Sequence, residues 1–220
     1  MITEIKLTNF KCFKKETLFP LSKINLLTGI NGRGKSTLLQ SLLLMRQTIE
    51  HNPNSNQIIF NGNCVRLGAY EDVKNSESSR NENIIMSFKI FNDSRLESLK
   101  RHNRLTDKVI EDIEKFSTFD MTYLLSENLT NDRVANIKEL SVLFENSFLH
   151  EKGFTVFLEQ NLVHYFNNKG EIREELETYP YILKALQPYA KLLSGSLMTE
   201  NFSDFLKIHY IAADRIGEHL

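Results

Sequence analysis

The chain has 220 residues, 41% hydrophobic and 25% charged, with a formal net charge of -1, the proportions of a globular protein with one core, alone or carrying an insertion. That balance excludes a nucleic-acid binder relying on overall basic excess. The only cysteines, Cys12 and Cys64, have no metal-ligand spacing, which excludes a disulfide framework or a zinc site and reads as two buried thiols. No apolar run approaches the ~18 residues of a spanning helix and the N-terminus, with Glu4, lacks an apolar leader, so a cytoplasmic location without a membrane partner is expected. The sequons at Asn92, Asn128 and Asn201 are then chance matches.

The first thirteen residues alternate, with Ile5 and Leu7 on one face and Glu4 and Lys6 on the other, which predicts a half-buried strand. Glu16 to Leu21 reads as the second strand of a hairpin, on a sheet edge because of Pro20. The apolar run Ile24-Asn25-Leu26-Leu27 is short enough for a buried strand, and Leu38, Leu39, Leu42, Leu43 and Ile49 then repeat at helical spacing.

Between that strand and helix lies Gly29-Ile30-Asn31-Gly32-Arg33-Gly34-Lys35-Ser36, which fits the phosphate-loop pattern of glycine, four residues, glycine, lysine, then serine or threonine. A triphosphate crowds negative charge, so its pocket needs many donors and little bulk. Gly29, Gly32 and Gly34 let the backbone amides turn inward, and the helix that follows begins with free N–H groups and the positive end of its dipole. Lys35 is placed to reach the β and γ phosphates, the Ser36 hydroxyl can ligate magnesium, and Thr37 can donate to the α phosphate.

The opening strand ending in Leu7-Thr8-Asn9-Phe10-Lys11-Cys12-Phe13, followed by this loop and Thr37, resembles the start of the ATPase heads of the SMC, RecF and OLD-nuclease group. These are relatives of ABC ATPases that act on DNA or in anti-phage defence, and the likeness is strongest to prokaryotic AAA-type ATPases with a RecF-like head. The resemblance implies an α/β fold: a P-loop NTPase head of ABC type, with a mixed sheet around the phosphate-loop helix and a helical insertion. It also implies Lys11 near the phosphates, Phe13 near the base or sugar, and Asn31 near the γ phosphate. Core packing is an equally good reading of Phe10 and Phe13. The candidate nucleotide site is thus Lys11, Phe13, Gly29, Asn31, Gly32, Arg33, Gly34, Lys35, Ser36 and Thr37, with Lys35 as the catalytic charge, Ser36 as the metal ligand, and ATP and Mg2+ as cofactors.

Beyond the first helix, Ile58-Ile59-Phe60 reads as a strand and Asn61-Gly62-Asn63 as a turn. Val65 to Val73 resembles a segment that follows the first helix in the same ATPases, where a magnesium-sensing glutamine belongs. Gln57 is the nearest candidate, although a solvated loop glutamine is the simpler reading. Residues 74 to 83 are polar and read as an exposed loop, and Ile84 to Phe91 as a strand ending a nucleotide-binding lobe of residues 1–93. That lobe carries 12 basic and 8 acidic side chains, whereas residues 94–178 carry 11 and 16.

Residues 94–205 are expected to form a mainly helical insertion. Leu105, Val109, Ile113 and Phe116 mark one helical face, Ile137, Leu140, Phe144 and Phe148 a second, and Ile182, Leu183, Leu186 and Ala190 a third; Phe154 to Phe166 fits strand or helix. Lys100, Arg101 and Arg104 read as a solvated face rather than a DNA contact, and His102, His164 and His209 are isolated. Residues 206–220 read as a return strand. Leu193-Ser194-Gly195 and Asp214-Arg215 mimic an ABC signature and acidic motif, but Ser196 replaces a glycine and Arg215 stands where a catalytic glutamate would be. An arginine cannot polarise water.

The resemblance therefore implies an ATPase whose signature and catalytic glutamate are not found in these 220 residues. It implies a head-to-head dimer around ATP, an effector such as a nuclease, and leaves DNA open as a further partner. A transporter's ATP-binding subunit, a metabolite kinase and a non-hydrolysing scaffold are the alternatives.

Overall fold

The computed structural model describes residues 2–51, 57–91, 118–144, 152–157, 162–167 and 170–175. Strand β1 (Ile2–Thr8) pairs antiparallel with β2 (Thr17–Pro20), with Ile5 opposite Phe19. This is the expected hairpin, with β2 and its proline at the edge of the sheet. Helix α1 (Lys35–His51) follows the glycine loop, β3 (Gln57–Ile59) and the single-turn α2 (Tyr70–Val73) come next, and β4 (Ile84–Phe91) pairs with β1. The sheet continues through β5 (Thr118–Glu127), β6 (Val134–Phe144), β7 (Lys152–Phe157), β8 (Leu162–Asn167) and β9 (Gly170–Glu175). Its order is β2-β1-β4-β5-β6-β7-β8-β9, with β3 on β6.

The period of two decides which side chains meet. Register places Leu7 opposite Met86, Met86 opposite Tyr123 and Tyr123 opposite Leu140, a row of buried side chains across four strands. Ile5, Phe88 and Met121 form a parallel row, and Leu38, Leu44 and Met45 of α1 join the same core. Burying each of these large side chains contributes about 1.5–3 kcal/mol, so the core fixes where α1 sits and thereby where the glycine loop ends.

Polar groups lock α1 to the segment after it. Gln47, fully buried, donates from Nε2 to the Ile59 carbonyl at 2.6 Å and accepts at Oε1 from the Val65 N–H at 2.9 Å. Thr48 Oγ1 accepts from the Ile59 N–H at 3.1 Å.

Three expectations change. The run Ile24 to Leu27 is not a strand: among the described residues it has no ladder partner, and Ile24 and Leu26 are 88% and 86% exposed. Every described ladder is consequently antiparallel, where a mixed sheet was expected. Ile137, Leu140 and Phe144 of the expected second helical face lie instead on strand β6, with Phe148 outside the described residues, and the described parts of Phe154 to Phe166 fall on β7 and β8.

The cause of the β6 misreading is local. Leu124 faces Glu139 while its neighbour Leu125 faces Ile137, so Lys138 is an extra residue in the ladder. This bulge shifts the buried positions from Ala135 and Ile137 to Leu140, a spacing of three that imitates a helix. The helices expected around Leu105 to Phe116 and Ile182 to Ala190, the return strand at 206–220 and the boundary at residue 93 lie wholly or partly outside the described residues.

Candidate functional site

The phosphate-loop pattern occupies a turn whose glycines take positive φ: 127° at Gly29, 81° at Gly32 and 94° at Gly34. Helix α1 starts at once, with the Leu38 N–H donating to the Gly34 carbonyl at 3.0 Å. The amides of Lys35, Ser36 and Thr37 therefore stand ahead of the helical ladder, at the positive end of the dipole. No acidic residue occupies the first turn of α1, so nothing local opposes an anion there. Lys35 Nζ donates to the carbonyls of Gly29 and Ile30 at 2.6 and 2.9 Å, folded over its own loop.

A second turn meets this loop. After β1 the chain reverses through Asn9 to Phe13, closed by the Phe10 N–H to Phe13 carbonyl bond at 3.0 Å and its reciprocal at 2.9 Å. Asn9 and Lys11 have φ of 55° and 50°. Asparagine visits that left-handed region readily, and lysine does not. Phe10 is fully buried in the core, while the Phe13 ring packs edge-on against Phe19 with centroids 5.2 Å apart.

The two turns share a cavity of about 290 Å³ lined by Lys11, Cys12, Asn31, Gly32, Gly34, Lys35, Ser36 and Thr37. Seven of these eight were expected from the sequence, and the structure brings them together. Gly29, Arg33 and Phe13 lie outside the lining; Phe13 sits beside Gly34 instead. Cys12 is the surprise. It is exposed rather than buried, lines the cavity, and places Sγ 3.7 Å from the Thr37 hydroxyl. Cys64 is half-buried beside Glu50, and burial, then the Glu50 charge, pushes its thiol up. Gln57 lies on β3 with Nε2 3.3 Å from Asn136 Oδ1, away from the cavity.

Residues 74–83, read from sequence as an exposed loop, hold the second turn in place. The Lys11 N–H donates to the Val73 carbonyl at 2.7 Å, Asn75 Nδ2 to the Lys11 carbonyl at 2.6 Å, and the Asn75 N–H to the Asn9 carbonyl at 3.0 Å. Asn9 in turn donates from Nδ2 to the Asn83 carbonyl at 3.0 Å and accepts from Ser78 Oγ at 2.6 Å. A polar loop without an apolar anchor looks solvated in sequence, because side-chain to backbone bonds leave no periodic trace.

A magnesium ion fits this arrangement in kind. Mg2+ keeps waters and takes few protein ligands together with substrate phosphates, and the Ser36 hydroxyl lines the cavity next to Lys35. Among the described residues no group of three or more His, Cys, Asp or Glu forms a ready-made metal cage.

The sequence profile of the AAA ATPase domain family matches residues 1–218. The chain belongs to that family. ATP binding and ATPase activity in general come with this membership. No curated protein matches the chain. One solved structure similar to it, from work on ATP-driven dimerization and DNA-stimulated activation of SMC ATPases, is 12% identical over 94% of this chain and 92% of the other. Its TM-score is 0.32, below the level at which a shared fold follows.

Among the described residues no helix is long and apolar enough to cross a membrane. Lys100, Arg101, Arg104, His102, His209, Leu193 to Ser196 and Asp214-Arg215 lie outside the described residues. His164 falls on β8.

Proposed function

We propose that this AAA ATPase is an ATP-binding head like those of the SMC, RecF and OLD-nuclease group, one that grips Mg2+-ATP between its two turns and dimerises around it. The observation that carries the reading is the shared cavity: the Asn9 to Phe13 turn and the phosphate loop, separate in sequence, contribute Lys11 and Lys35 to one site. On this reading Lys35 leaves the carbonyls of Gly29 and Ile30 for the β and γ phosphates. The amides at the start of α1 receive phosphate oxygens, as helix N-termini do. Lys11 adds a second positive charge, Ser36 holds the magnesium and Asn31 lies by the γ phosphate.

Catalysis of phosphoryl transfer is mostly positioning and charge neutralisation, with a residue to orient the attacking water. The cavity lining supplies the first two. None of its eight residues is a carboxylate, so on this reading the water-orienting group comes from beyond the lining, and a partner supplies the signature segment that closes the site, since none is found in these 220 residues. The output is control of a nuclease or other effector, in phage defence or DNA maintenance. Magnesium would supply charge neutralisation at the phosphates when bound.

The test is Lys35→Ala, assayed by equilibrium binding of ATP with magnesium. Binding should be lost while the melting temperature stays near that of the unaltered protein; unchanged affinity would falsify the site.

A further inference from the structure

We infer that Asn75 is a positioning residue for nucleotide binding, acting through Lys11 although it lies 64 residues further along the chain. The inference rests on the proposed site and adds to it a residue that no motif marks.

Lys11 is a lysine held at φ 50°, a conformation that persists in a non-glycine residue only where its surroundings over-determine it. Both of its backbone polar groups are held by one short segment: its N–H by the Val73 carbonyl at 2.7 Å and its carbonyl by Asn75 Nδ2 at 2.6 Å. Asn75 is only 8% exposed, and its remaining groups are engaged as well. Its Oδ1 accepts from the Glu77 N–H at 3.0 Å, and its carbonyl accepts from the Ser78 N–H at 3.0 Å. The amide is thus fixed before it meets Lys11. Through that bond it sets the peptide that joins Lys11 to Cys12, and both of those residues line the cavity with Lys35 and Ser36. Losing the donor frees the Lys11 peptide to leave the left-handed region. The lysine then swings away from the phosphates while the core, which contains neither residue, is unaffected.

The experiment is a double-mutant cycle on the full chain, read as affinity for a fluorescent N-methylanthraniloyl-ATP with magnesium, alongside thermal melts. Asn75→Ala should weaken binding about tenfold, the factor that corresponds to about 1.4 kcal/mol. In a Lys11→Ala background the same substitution should change affinity little, because the group it positions is already gone. A merely structural asparagine would instead lower affinity equally in both backgrounds. That result, or unaltered binding by Asn75→Ala, overturns the inference. If Asn75→Ala does not fold, Asn75→Asp serves in its place, because it keeps the acceptor for the Glu77 N–H and sets a carboxylate oxygen, which repels the Lys11 carbonyl, in place of the donor. Lys35→Ala, run in parallel, separates the two failures. Loss of binding there with no effect at Asn75 sinks this inference alone, whereas no effect at Lys35 sinks the site on which it rests.

Discussion

The Phe13 ring occupies the space that a side chain on Gly34 would need: a Cβ built there falls 2.3 Å from Phe13 Cζ and 3.0 Å from Cys12 Sγ. With φ at 94°, position 34 is closed to other residues both by its backbone and by its neighbour. Gly34→Ala should cost about 1–3 kcal/mol in strain alone and abolish ATP binding, as read by denaturant titration and equilibrium binding. Adding Phe13→Ala should return part of the stability by removing the clash. No improvement in the double variant would mean that Phe13 yields without cost.

Leu26 gives a test of the segment before the loop. Its side chain is exposed, so Leu26→Lys should shift stability by no more than about 0.5 kcal/mol. A loss of several kcal/mol in urea denaturation would instead restore the buried strand that the sequence suggested.

Gln47 should be far less tolerant. Gln47→Ala leaves the Ile59 carbonyl and the Val65 N–H without their partner, and each unsatisfied buried group costs about 1–3 kcal/mol. The urea midpoint is expected to fall accordingly, and an unchanged midpoint would show that water replaces the amide.

Alkaline pH should weaken the fold through Tyr70, whose phenol donates to the Leu125 carbonyl at 3.2 Å. Burial pushes this group up from 10 to about 12. The unfolded chain therefore releases the proton first. The stability that Tyr70 contributes is complete below pH 10 and is lost as pH rises through about 12. Tyr70→Phe should show a smaller fall in urea midpoint across that window. Some fall should remain, because complete burial raises Tyr123 as well.

Dimerisation around ATP makes a kinetic statement. If the proposed dimer forms, ATPase activity per head should rise with protein concentration, because the site is then complete only when two heads meet. Activity strictly proportional to enzyme across a broad dilution series would remove the dimer from the proposal.

How much was legible in the sequence depended on the kind of interaction. The β1–β2 hairpin, α1 and β4 announced themselves because burial on one face leaves a period of two or 3.6. Ile24 to Leu27 shows the limit of that signal: an apolar run marks a strand only where a ladder and a covering surface meet it. Lys138 shows another, since one inserted residue made β6 read as a helix. The cradle residues from Asn31 to Thr37 were visible as a spacing pattern. Cys12 and Asn75 were not, because one is placed by a reversal of the chain and the other by bonds spanning 64 residues.

The bonds that seat the Asn9 to Phe13 turn reach 64, 69 and 74 residues along the chain, and this gives the site a timetable. A ribosome adds roughly 5–20 residues per second, so α1 leaves the exit tunnel seconds before residues 73–83 do. In that interval the nascent chain carries the residues of the glycine loop and of α1, while the lysine on the opposite wall has nothing to hold its backbone. Nucleotide capture thus waits for residues 73–83, which seat the turn, and then for β4 to β6, whose side chains complete the core that seats α1.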